Sequence, residues 1–309
     1  MTKPAKTYLE QLQILKDRGL TVPDEPFTLS CLTHHNYYRL SAYRFPFTLT
    51  GQPDQFRPGT SFNQVWDLYH FDRELRRLVI EACKRVEISV RSRWAYELGH
   101  QLGPTAYLDN RNFNDPLIHA RTLSRLYDEM NRGKEEFIRH HRKNLHMEWP
   151  PVWVVVEVAT FGNISNLLGQ TLLPRIRQAV ADTYALDEKI CCSLIHHLSV
   201  VRNTAAHHSR FWNRGFTVTF QLPKKKPPHL WPNFSLCPQS GTGKERKIYN
   251  TLVLLVHLLQ CIEPSGHWPQ RLVDMLSTLA PDLYEPMGFP AGWQRLPLWQ
   301  PLTFGREPV

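Results

Sequence analysis

Residues 193–214, SLIHHLSVVRNTAAHHSRFWNR, concentrate the side chains of this sequence best able to do chemistry. Placed on a helix at about 100° per residue, Leu194, Leu198, Val201, Ala205 and His208 form one stripe that faces a core. His196, Asn203, His207 and Arg210 gather on the opposite side, and Arg202 stands on its shoulder. The pattern separates two adjacent histidines. His208 is predicted to be structural, and His207 to stand on the polar face. A histidine on a polar face is ordinarily just a solvated residue. His207 instead keeps company with an asparagine, two arginines and no acid. An imidazole moves protons near neutral pH, and a guanidinium clamps a phosphate through two parallel hydrogen bonds. Together they suit attack of an RNA 2′-hydroxyl on the neighbouring phosphate, a reaction that needs proton transfer and charge stabilisation but no metal. Arg202 and His207 are five residues apart, which on one ideal helix means about 140° around and about 7.5 Å along. Two copies of the helix across a two-fold axis would bring each arginine near the other copy's histidine, so the spacing favours a dimeric site.

Other chemistries find less support. The sequence contains no HExxH, no close aspartate pair, no GxxxxGK[ST] and no GxSxG. The GTGK at 241–244 is too short for a phosphate loop and lies in a Pro-rich stretch. No cofactor and no metal are expected. Six scattered cysteines, with no CxxC pair, suit buried thiols in a reducing compartment.

The elements that must position these residues are helical. Residues 5–19 and 26–43 read as helices, and 46–61, with its prolines and glycines, as a loop. From 62 to 99, Leu68, Phe71, Leu75, Leu78, Val79, Ala82, Val86 and Val90 recur at helical spacing. Their opposite face is basic, with glutamates interleaved. Helix is predicted again at 116–146, 174–186, 188–211, 245–263 and 268–280. The β-branched VWVVVEV run at 152–158 reads as a buried helix, because nothing nearby offers a strand partner. Residues 216–222 alternate like a short extended piece, 223–244 form a basic Pro/Gly-rich loop, and 281–309 an irregular tail. The expected fold class is all-α, a single domain over 1–309 with its core at about 6–222.

The chain has 309 residues and a formal net charge of +9. That length can bury a core unaided, and a hydrophobic content of 42% excludes wholesale disorder. No apolar run reaches the roughly 18–20 residues of a membrane span, and the first residues show no apolar core of a secretory signal. A cytoplasmic protein without membrane contact is expected. Between Glu188 and Glu245 there is no acidic residue. This acid-free stretch reads either as a solvated basic face or as a phosphate-binding surface. On the second reading His196, Arg210, Arg214, Lys224, Lys225 and Lys226 contact RNA. Tyr38 and Arg39 are candidates for stacking on bases, although such tyrosines are more often core. Glu157, a lone carboxylate in an apolar run, either pairs with Arg202 or lines the site, or else faces solvent.

Five blocks in order carry a resemblance to a known family: KTYLEQLQILKDRGL (6–20), NYYRLSAYRFPF (36–47), LYHFDRELRRLVIEACKRVEISVRSRWAYELG (68–99), PPVWVVVEVATFGNISNLL (150–168) and VRNTAAHHSRFWNR (201–214). They resemble the Abi-like proteins of the AbiD/AbiF abortive-infection group. Arg202-Asn203-x3-His207 is similar to the R-polar-x3-H motif of HEPN-domain ribonucleases. The resemblance implies a HEPN-type helical bundle with additional N- and C-terminal helices. It also implies a homodimer and a metal-independent endoribonuclease in bacterial antiphage defence. Arg202 would clamp the phosphate, His207 would transfer protons and Asn203 would orient His207. An antitoxin RNA or protein is a further implied partner. The other reading is a HEPN-like protein that binds a structured RNA, or senses a phage component, without cutting. Where the family form carries a cysteine, this sequence has Ala205, so no thiol function transfers.

Overall fold

The structure, a computed structural model, describes residues 4–224, 226–235 and 246–304. Its axis is α4, an unbroken helix over Phe62–Leu102. Ser61 and Gln64 close a capping box at its start, and Gly103, at φ +99°, ends it. An uninterrupted apolar stripe makes this length possible. Leu75, Val79, Ala82, Val86 and Val90 are all fully buried, and helices on both sides cover them. Around α4 pack α7 (Val152–Val155), α8 (Phe161–Gln170), α9 (Pro174–Asp182), α10 (Glu188–Ala206), α11 (Ile248–Ile262) and α12 (Trp268–Leu276). The helix α5 (Pro116–Arg132) packs on α8, and α6 (Glu136–Asn144) on α7. α11 is buried on almost every face, as an apolar-all-round helix must be. At the N-terminus α1 (Tyr8–Asp17) pairs with α2 (Glu25–His34), and the single turn α3 (Tyr37–Ser41) leads to a hairpin. The fold is all-α apart from this hairpin, β1 (Thr48–Leu49) with β2 (Gln52–Phe56), set in the stretch expected to be a loop.

Several boundaries differ from the sequence expectation for local reasons. The helix expected at 26–43 breaks at His35, and Asn36 restarts it by accepting a hydrogen bond from the Tyr38 amide at 2.8 Å. The helix expected at 116–146 stops at Gly133. The valine run holds one helical turn and then unwinds, so the buried-helix expectation is met only over Val152–Val155. Residues 216–222 form no strand. Of the tail expected to be irregular over 281–309, the described residues 281–304 form a series of tight turns. They bury Met287, Trp293 and Trp299 and include α13 (Gln300–Phe304).

The expected basic face of α4 is largely neutralised. Arg77 pairs with Glu74, Arg85 with Glu81 and Glu263, Arg91 with Glu87, and Arg93 with Glu97. Asp72 and Arg76 form a buried pair one turn apart. Within the basic loop, the described residues around Asn233 are packed into the fold. Asn233, wholly buried, donates to the His229 carbonyl at 2.7 Å and accepts from the Leu298 amide at 2.8 Å.

Candidate functional site

Asp187 caps the start of α10 by accepting from the Lys189 amide at 2.9 Å. Leu194, Leu198, Val201 and Ala205 face the core, each 1% exposed or less. The helix ends five residues before the sequence reading placed its end. His207 is the C-cap. The His208 amide donates to the Ala205 carbonyl at 2.9 Å, and the Ser209 amide to the Thr204 carbonyl at 3.1 Å. This pair of bonds is a Schellman motif, and it puts His208 in the left-handed region at φ +56°. His208 is therefore exposed and off the apolar stripe. The expectation of a core histidine fails because helical phase cannot be extrapolated past a C-cap. Glycine is favoured at such a position, since a Cβ there costs roughly 1–2 kcal/mol. His208→Gly is expected to raise stability by about 1 kcal/mol, read from urea unfolding, without reducing activity.

The segment beyond the cap is pinned from two sides. Arg39 donates to the His208 carbonyl at 2.9 Å, and Arg210 to the Ala42 carbonyl at 2.7 Å. The Phe211 and Trp212 amides both donate to Asp72 Oδ1, at 2.9 and 2.6 Å. Tyr43 donates to Asp72 Oδ2 at 2.6 Å, beside Arg76. Burial pushes the Asp72 carboxyl up from its ordinary value, and these donors oppose that.

Arg202 is 28% exposed. Its guanidinium donates to Asn203 Oδ1 at 3.0 Å and reaches Glu87 Oε2 at 3.4 Å. Glu87 is shared: Arg91 holds its other oxygen at 2.5 Å. Arg91 also donates to the Glu157 carbonyl at 3.3 Å and the Ala159 carbonyl at 2.5 Å. Arg202 is thus the looser of two cations on one carboxylate, with a contact near the outer limit of a hydrogen bond. The Asn203 side chain accepts from Arg202, and its backbone carbonyl accepts from the His207 amide. Of the alternatives open for Glu157, the pair with Arg202 is not formed: Arg202 meets Glu87 instead. The Glu157 side chain is exposed and lines a separate groove with Ser92, Tyr96 and Trp153.

Arg202 and Asn203 open onto a groove of about 400 Å3. α8 forms its floor with Asn163. α5 contributes Arg125 and Glu129, and α10 adds His196. The His196 ring contacts Ser165 Oγ at 3.3 Å. His207 is exposed at the helix end and does not line the groove. Within the chain, Arg202 and His207 therefore do not line the same groove. Tyr38 is 76% exposed, while Tyr37 is half-buried and accepts from Arg18 at 2.9 Å. Lys224 and Lys226 are exposed and Arg214 is half-buried. Lys225 lies outside the described residues.

Sequence reasoning missed Glu87, Asn163 and Arg125. A signal for Glu87 existed: Cys83, Val90 and Trp94, four before and three and seven after it, are all buried, so the carboxylate sits on an apolar stripe. His197 was also missed. It is buried, with Nδ1 at 2.6 Å from the Val218 carbonyl and Nε2 at 2.8 Å from Thr251 Oγ1. A carbonyl only accepts, so Nδ1 carries a hydrogen, and in the neutral ring Nε2 accepts from the hydroxyl. Burial lowers its pKa from 6.5 to about 4. The unfolded chain therefore takes up this proton first as pH falls, so the stability held at neutral pH is lost between about 6.5 and 4. Unfolding at stepped pH should show that His197 contributes a loss of about 3 kcal/mol across that window, so that the pH dependence of His197→Gln is shallower by that amount.

Among the described residues no helix is long and apolar enough to cross a membrane. A family model described as Abi-like protein matches residues 30–213, more than half of the chain and inclusive of Glu87, Asn163, Arg202 and His207. No curated protein and no solved structure matches.

Proposed function

The chain belongs to the Abi-like protein family, a kinship that suggests abortive infection or defence, and from that premise we propose that it is a metal-independent endoribonuclease of antiphage defence. The observation that carries this reading is the last turn of α10. There a guanidinium loosely held by a shared carboxylate precedes, by five residues, an imidazole exposed at the helix cap. A phosphate offers Arg202 a better partner than the 3.4 Å contact it has with Glu87.

In the proposed reaction the 2′-hydroxyl proton passes to His207 as the O2′–P bond forms. Arg202 binds the non-bridging oxygens as negative charge grows on them. The P–O5′ bond then breaks and the 5′-oxygen takes up a proton. The products are a 2′,3′-cyclic phosphate and a 5′-hydroxyl. Because Arg202 and His207 diverge within one protomer, the complete site is proposed to join Arg202 of one copy with His207 of a second, in a homodimer. Tyr38, Arg39, Arg214, Lys224 and Lys226 are proposed to guide the rest of the RNA.

The test is to express the wild type and His207→Ala, compare growth, and map cellular RNA ends. Cleavage by the purified protein is expected to continue in EDTA and to leave 5′-hydroxyl ends. Products with 5′-phosphates, or arrest by EDTA, would overturn the mechanism.

A further inference from the structure

The groove beside Arg202 contains a buried polar group with nothing to bind. Asn163 is 3% exposed, and its side-chain Nδ2 has no hydrogen-bond partner. A buried donor left unpaired is costly and calls for an explanation. Its position is rigid: Asn163 is the third residue of α8, and its amide donates to the capping Thr160 hydroxyl at 3.2 Å. Asn163 lines a groove of about 400 Å3, within the roughly 300–1,000 Å3 typical of small-ligand sites.

The rest of the lining fits a nucleotide better than a bare anion. Glu129 supplies a carboxylate acceptor, which disfavours a phosphate at the floor. Ser199, buried, donates to the His196 carbonyl at 2.8 Å and keeps an oxygen able to accept. The cations stand on different helices, Arg125 on α5 and Arg202 on α10, and α8 packs against both. The floor is also left open. A Cβ on Gly162 would meet only Thr160 Oγ1, at 3.8 Å, so no packing demand of the fold explains that glycine.

A donor at the floor, acceptors beside it and a phosphate-binding cation at the lip match a base edge with its backbone. Every base offers both an acceptor and a donor on its Watson–Crick edge, and only an unpaired base exposes that edge to a protein. We infer that the groove between α5, α8 and α10 is a subsite for one unpaired ribonucleotide, with the Asn163 side-chain amide reading the base and Arg202 holding its phosphate. The substrate class is therefore single-stranded RNA, and the cut carries a base preference at one neighbouring position. This rests on the ribonuclease reading for its reaction, but not for its ligand.

The experiment digests a randomised RNA library and its annealed duplex, and sequences the 5′-hydroxyl ends. Wild type should cut only unpaired segments, with a preference of roughly 2- to 12-fold at one position, the worth of one hydrogen bond. Asn163→Asp exchanges the donor for an acceptor at a helix N-terminus, where a carboxylate is tolerated, and should change which base is preferred. Gly162→Leu fills the floor and should erase the preference. In parallel, an oligonucleotide carrying 4-thiouridine is photo-crosslinked to His207→Ala, and crosslinks are expected on α5, α8 or α10 peptides. Cutting without base preference, cutting of duplex, or an Asn163→Asp profile equal to wild type overturns the subsite and leaves the ribonuclease reading intact. Absence of cutting, with groove crosslinks that Gly162→Leu abolishes, sustains the subsite and removes the ribonuclease reading. Absence of both removes both.

Discussion

His207→Ala is expected to lower RNA cleavage by roughly 10²–10⁴-fold, the usual contribution of a positioned proton-transfer group, while leaving the protein folded. The structural basis for that separation is the position of His207. It is the C-cap of α10, exposed, and its backbone bond to the Asn203 carbonyl at 3.0 Å does not involve the ring. Removing the imidazole therefore opens no cavity. Unfolding midpoints of the two proteins should agree, and RNA binding should persist. Arg202→Ala should reduce cleavage comparably, because the developing charge loses its donor. Arg202→Lys should rescue poorly, since an ammonium cannot reproduce the fork. Glu87 gives this series an internal control: Arg91 still holds it when Arg202 is gone, so no carboxylate is stranded. Full cleavage by purified His207→Ala would sink the assignment. If the site is shared between copies, inactive Arg202→Ala and inactive His207→Ala should regain activity when mixed, because a heterodimer rebuilds one intact site.

Asp72→Ala is expected to act on stability instead, with a loss of about 3–5 kcal/mol. Arg76 is buried and would keep its charge without a partner. The Phe211 and Trp212 amides and the Tyr43 hydroxyl would lose their acceptor together. Such a loss is a large share of the 5–15 kcal/mol that ordinary domains have in hand. Asp72→Asn should cost less, because an amide oxygen still accepts from the two backbone groups. Urea unfolding measures both. A midpoint for Asp72→Ala within error of wild type would show that the buried pair contributes little. Activity should fall with folded fraction, and further for a second reason. Asp72 fixes the chain only three residues after His208, so the cap that presents His207 loosens with it.

The sequence by itself determined the helical class, the axis of the bundle and the motif. The 3-and-4 spacing from Leu68 to Val90 is a property of neighbouring residues, and a stripe that regular admits one secondary structure. Arg202, Asn203 and His207 were legible for the same reason: they sit within two turns of one another on a strongly patterned helix. The Asp72–Arg76 pair had a faint local trace, since Asp72 falls in line with Leu68, Leu75 and Val79. The rest depended on contacts between distant segments. That Arg202 reaches Glu87, 115 residues away along the chain, and shares it with Arg91 follows from the packing of α10 on α4. That His208 leaves the core stripe follows from the cap, which Arg39 and Asp72 hold from outside the helix. Asn163 has no periodic signature of function, and its unpaired amide emerges only when α5, α8 and α10 enclose a groove. Local patterning is set by the few torsions and side chains that repeat along one element. A site made where three helices meet is set by which faces the whole chain can afford to bury.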